Sequence, residues 1–110
     1  MDVVLIVAIV RSVSLEEAER TLQRLGVRGI TVSKAKGYGE YANFFSHDHL
    51  TDQVKIEVFV PRQRSQAVVD GLLKATHTGT PGDGIVAVVP VETVVSVRTG
   101  APAMPNSMPA

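Results

Sequence analysis

Eight consecutive apolar residues, Val3-Val4-Leu5-Ile6-Val7-Ala8-Ile9-Val10, limit the folds open to this chain more than any other stretch. The run is rich in β-branched side chains and far short of the roughly 18 residues that a membrane helix needs. It therefore reads as a strand buried on both faces, inside a sheet with apolar cover on either side.

The residues that follow change period. Ser14 is placed as an N-cap with Glu17 completing a capping box, and Leu15, Ala18, Leu22 and Leu25 share one helical face before Gly26 stops the helix. Ile30 to Lys36 reads as a second strand. In a third, Val54, Ile56, Val58 and Val60 point one way until Pro61 ends it. Val68, Leu72 and Ala75 mark the buried side of a second helix from Gln63 to Thr76, in which Gly71 costs about 1 kcal/mol relative to alanine. Ile85 to Val89 gives a fourth strand, and Val94 to Val97 a short added one beyond Pro90.

The order βαββαβ predicts an α+β, ferredoxin-like domain, an antiparallel sheet with both helices on one face. Two helices cover only that face, yet the first strand is apolar on both. A symmetric oligomer that packs sheet against sheet is the expected cover.

At 110 residues the chain is expected to be one domain, residues 1–100, followed by a flexible tail, 101–110, with three prolines and no apolar period. Eleven basic and eleven acidic residues leave no net field to draw in nucleic acid or an acidic membrane. The start lacks the basic region of a signal peptide, and the absence of cysteine excludes disulfides and thiolate metal sites. These features predict a soluble, cytoplasmic protein with no membrane insertion.

Two stretches carry chemistry. Thr78-Gly79-Thr80-Pro81-Gly82-Asp83-Gly84 lies between the second helix and the fourth strand, and its glycines free the backbone for a tight turn or for a concave nest of N–H donors facing an anion. Residues 37–53 hold no periodicity and are too long for a hairpin turn, the mark of a functional or disordered loop.

With these segments in register, the chain resembles the PII signal-transduction family, trimeric regulators that bind adenine nucleotides between subunits. The matching pieces are Gly29-Ile30-Thr31-Val32, Lys36-Gly37-Tyr38-Gly39, Val54-Lys55-Ile56-Glu57-Val58, the 78–84 loop, and Pro90-Val91-Glu92 running to Val97-Arg98-Thr99-Gly100. The resemblance implies a homotrimer and a role for particular residues. Thr31 and Glu57 would meet the adenine edge, with Val58 and Phe59 beside the ring, and Gly37, Tyr38 and Gly39 would line the base of the long loop. Thr78, Gly79, Thr80, Pro81, Gly82, Asp83 and Gly84 would form the nucleotide-binding loop, its glycines and Asp83 cradling ribose and phosphates, with Arg98 reaching the phosphates from a neighbouring subunit. The long loop would contact a regulated protein.

The departures from the family pattern matter as much. Where family members that hold ATP usually carry cations, this chain has His77, Thr80, Ile85 and Ser96. Each lost charge-assisted bond to phosphate removes roughly 1.5–3 kcal/mol, so ADP or AMP is expected in preference to ATP. Tyr41 and Gln53 stand where the resemblance expects the glutamine and lysine that hold magnesium and 2-oxoglutarate. The long loop is also shorter than the family's. Short-looped relatives beside carbon-uptake and carboxysome systems imply bicarbonate as a second ligand.

Two alternatives stay open: a conventional nitrogen-regulatory protein, and a metal-tuned one. His47-Asp48-His49 offers ligands of the right type for zinc, copper or nickel, although a solvated loop accounts for so short a pattern. An enzyme is not expected. Acylphosphatase shares the fold, but Val10-Arg11-Ser12-Val13 is too poor in glycine to form its phosphate loop.

Overall fold

A computed structural model describes residues 2–37 and 51–107. Strand β1 spans Val3–Arg11, helix α1 Leu15–Arg24, β2 Thr31–Gly37, β3 Thr51–Pro61, α2 Ser65–Thr76 and β4 Gly84–Val91. Among the described residues the strands form one antiparallel sheet in the order β2-β3-β1-β4, so the apolar run of β1 is a central strand, as its composition requires. The arrangement is ferredoxin-like.

The period-2 pattern sorts the faces. Val4, Ile6, Ala8 and Val10 of β1 pair with Val60, Val58, Ile56 and Val54 of β3, and all eight are buried against the helices. Ala18 and Leu22 of α1 and Val68 and Leu72 of α2 complete this core. Gly71 leaves room for side chains from α1 and its C-cap, because a Cβ there would stand 2.8 Å from Leu25 Cδ1 and 3.1 Å from Thr21 Cγ2. The residue that weakens the isolated helix lets the pair pack.

Opposite the helices, Leu5, Val7 and Ile9 of β1 lie beside Val89, Ala87 and Ile85 of β4, with Phe59 of β3 opposite Leu5. In the single chain Ile85 is 64% exposed and Val89 40%. The β1–β4 half of this second face is an apolar surface, as the run in β1 anticipated, whereas Glu57 and Lys55 of β3 stand opposite Val7 and Ile9 on the other half.

Several boundaries differ from expectation. A 3₁₀ turn, Ser12–Ser14, precedes α1, and Ser14 makes no capping bond through its side chain, so the expected capping box is not formed. A second such turn, Arg62–Arg64, leads into α2. The C-terminus of α1 follows the rule: Gly26 takes φ 81°, its N–H donates to Gln23 O at 3.0 Å, and Val27 N–H donates to Leu22 O at 3.0 Å. Strand β4 runs through Pro90, which an edge strand tolerates because one side of its backbone needs no partner. Residues 37 and 51–53, expected in the long loop, instead extend the β2–β3 ladder, with Gly37 opposite Thr51 and Ala35 opposite Gln53.

The end of the chain also needs correction. Val94 to Val97 forms no strand, only an isolated bridge from Val95 to Pro102. Of the tail expected to be flexible, the described residues 101–107 are hydrogen-bonded back onto the domain: Ala103 N–H donates to Val94 O at 2.9 Å, and Asn106 is tied to Arg28 and Gly29, just before β2, and to Phe59 of β3. The prolines exclude a regular helix there, but turns and side-chain amides hold such a segment equally well.

Candidate functional site

The first polar cluster forms where α2 gives way to β4. Thr76, the last residue of α2, is buried and donates its hydroxyl to Leu72 O at 2.8 Å. The chain then turns through Gly79 (φ 85°) and Gly82 (φ 93°). Asp83 closes the turn on itself. Its carboxylate accepts the backbone N–H of Thr78 at 2.8 Å and of Gly79 at 2.9 Å, and the Thr78 hydroxyl as well. Thr78 and Thr80 hydroxyls lie 2.7 Å apart. From the end of β1, Arg11 donates to Thr80 Oγ1 at 3.0 Å and to Pro81 O at 2.6 Å, with its Nε 3.6 Å from Asp83. His77 Nδ1 stands 3.8 Å from the same carboxylate.

These bonds stabilise the ionised form of Asp83. The Thr78 hydroxyl, then the Thr78 and Gly79 N–H groups and the Arg11 charge, outweigh a smaller opposing effect of partial burial and hold its carboxyl at about 2. An acidic side chain thus fills part of the nest expected for an anionic ligand. The N–H groups of Thr78 and Gly79 serve Asp83.

The second cluster lies on the other edge of the sheet. Thr31 at the start of β2 is directly opposite Glu57 of β3, and Phe59 follows on the same face. With Arg28, Gly29, Ile30, Pro105 and Asn106 they line an open depression of about 470 Å³. Asn106 supplies most of its hydrogen bonds: its Oδ1 accepts from Arg28 N at 2.9 Å and Gly29 N at 3.2 Å, and its Nδ2 donates to Gly29 O at 3.1 Å and Phe59 O at 2.8 Å.

Of the expected site residues, Thr31, Glu57 and Phe59 are brought together, and so are Thr78 to Gly84. Val58 is not available beside a ring, because strand alternation buries its side chain in the core at 1% exposure. Arg98 is exposed, on a turn in which Gly100 N–H donates to Ser96 O at 2.8 Å. Gly37 ends β2, while Tyr38, Gly39, His47 and His49 lie outside the described residues. Within one chain the two clusters stay apart, since β3 and β1 separate β2 from β4, a span of about 14 Å at the usual strand spacing. Among the described residues no group of histidine and carboxylate side chains is placed to hold a metal ion.

Sequence reasoning missed two residues. Arg11 ties the glycine loop to the sheet, and the signal was a lone cation ending a fully apolar strand. Asn106 adopts φ 56°, a left-handed conformation that asparagine tolerates better than most residues, and its signal was an asparagine directly after Pro105.

Comparison with known proteins supplies the family. The family model described as Nitrogen regulatory protein P-II matches residues 3–101. The Nitrogen regulatory protein P-II of Azospirillum brasilense is 36% identical over 84% of this chain and 89% of its own length. That of Synechocystis sp. is 35% identical over the same shares. Among solved structures, Arabidopsis thaliana PII bound to citrate superposes with a TM-score of 0.81 at 29% identity, covering 98% of this chain and 93% of that one.

Proposed function

The chain belongs to the P-II family of regulatory proteins, and from that premise we propose that it is a homotrimeric sensor of adenine nucleotides, ADP or AMP in preference to ATP. The observation that carries this reading is the division of the site. Thr31 on the β2 edge stands opposite Glu57 of β3, the 78–84 loop leads into the β4 edge, and the β1–β4 part of the face between them is apolar. In a closed ring of copies, the contact surfaces on each subunit differ, so one copy's loop edge meets the next copy's Thr31 edge. Base and phosphates would then be held by different subunits, with Arg98 adding charge to the phosphates. Packing the apolar faces against each other supplies the driving force for the ring.

Preference for fewer phosphates follows from charge. Asp83 already occupies two N–H donors of the loop, and Ile85, Ser96, Thr80 and His77 stand where the family resemblance expects cations. The reading is regulatory rather than catalytic: nucleotide sets the shape of the segment after Gly37, and that shape sets docking of a regulated protein in the cytoplasm. Bicarbonate is the proposed second ligand.

Calorimetric titration with ATP, ADP and AMP, each with and without bicarbonate, tests it. Tight ADP or AMP binding that bicarbonate alters is expected. A second reading, a nitrogen sensor, is favoured by the names of the relatives, and ATP–magnesium binding strengthened by 2-oxoglutarate would establish it instead. No nucleotide binding in any titration would reject both.

A further inference from the structure

The four hydrogen bonds of Asn106 saturate its carboxamide, whose oxygen has two lone pairs and whose nitrogen has two protons. The partners are all main-chain groups: two N–H donors from Arg28 and Gly29, and two carbonyl acceptors from Gly29 and Phe59. That set lies in the depression that also holds Thr31 and Glu57. A backbone edge offering N–H groups beside carbonyls fits any ligand that presents an amine next to an acceptor. The carboxamide is one such group. The adenine edge is another, with its exocyclic N6 amine beside ring N1. Hypoxanthine reverses the polarity, with a carbonyl beside N1–H.

We propose that Asn106 is an internal plug of the base subsite, occupying through its carboxamide the main-chain groups of Arg28, Gly29 and Phe59 that an adenine would otherwise use. The inference rests on the nucleotide-binding reading above and adds its regulation. The plug is held in place from both sides. The Arg64 guanidinium donates to Asn106 O at 2.7 Å, and the bridge from Val95 to Pro102 anchors the segment upstream. Being tethered, the carboxamide competes at the high effective concentration of an intramolecular ligand. Nucleotide must displace it, so the apparent affinity falls by the fraction of molecules that are open.

The test uses the full-length chain, titrated with AMP and with IMP as wild type, Asn106→Gly and Asn106→Asp. Glycine keeps the left-handed backbone without a side chain, and aspartate lacks the protons that Gly29 O and Phe59 O accept. A plug closed in four-fifths of molecules predicts AMP affinity about fivefold higher in Asn106→Gly, and a smaller gain in Asn106→Asp, whose carboxylate still accepts the Arg28 and Gly29 N–H groups, with no gain for IMP in either. In the wild type, saturating AMP should also speed hydrogen exchange of the Asn106 side-chain amide. Equal AMP affinity in wild type and variants would overturn the plug and leave the nucleotide reading standing. Weaker binding in the variants would make Asn106 part of the bound site, again overturning the plug. Failure of every form to bind AMP, ADP or ATP would overturn both.

Discussion

The guanidinium of Arg11 lies 3.6 Å from the carboxylate of Asp83, joining the last residue of a central strand to a loop 72 positions further along the chain. The same guanidinium donates to Thr80 Oγ1 and Pro81 O, so the turn is fixed to the sheet at several points. A glycine-rich segment that would otherwise sample many conformations is thereby held in one.

The link has an acid limit. Because the folded carboxyl of Asp83 is lowered from 3.8 to about 2, its contribution is complete above about pH 4 and is lost as pH falls through about 2. The Thr78 and Gly79 amide resonances should therefore titrate with a midpoint near 2. A midpoint near 4 would mean that the carboxylate does not receive those N–H groups.

Gly84 admits no side chain. At φ 114°, a Cβ would stand 2.0 Å from the Ile9 carbonyl oxygen and 2.9 Å from Val10 Cα, both main-chain atoms of the central strand. Gly84→Ala should destabilise the fold by more than about 2 kcal/mol. Denaturant unfolding checks this, and a loss below about 0.5 kcal/mol would show that the β1–β4 ladder yields.

The apolar outer face should control assembly separately from folding. Val89 lies opposite Leu5 on that face and is 40% exposed in the single chain. Val89→Asp should leave the circular dichroism spectrum of the domain unchanged while reducing its mass in light scattering from trimer to monomer. A trimer that tolerates the buried charge would place the interface elsewhere.

Phosphate preference should respond to one cation. Ile85 directly follows Gly84, where the resemblance expects lysine. A lysine bonded to a terminal phosphate adds roughly 1.5–3 kcal/mol. At the rim of the outer face its ammonium can reach the phosphates, so Ile85→Lys, in a trimer that light scattering shows to be intact, should raise ATP affinity about tenfold or more and leave AMP affinity almost unchanged. Equal gains for both nucleotides, read by calorimetry, would point to general charge attraction.

Much of the fold could be read along the chain because it follows from local periodicity. The alternation from Val54 to Val60 and the helical spacing of Ala18, Leu22, Val68 and Leu72 each depend on burying one face, and the structure buries those faces. The double-sided apolar run of β1 likewise located the central strand and an outer face in need of cover. Glycines at 26, 79, 82 and 84 marked where positive φ was required.

The ends and partners of polar groups were not legible. Whether Ser14 caps a helix depends on its backbone conformation, and here Ser14 is itself helical (φ −88°, ψ −7°) within a 3₁₀ turn, so its side chain makes no cap. Val58 was expected beside a ligand ring, yet strand parity turns it inward. Arg11, Asp83 and Asn106 acquire their roles from partners up to 78 positions away, through hydrogen bonds only a few ångströms long. Hydrophobic pattern acts through area and repeats along the sequence, so the sequence alone determined the core and its faces. A hydrogen bond depends on distance and angle between groups that meet only after folding, so the tertiary structure alone decided what closes the glycine loop and what occupies the Thr31 depression.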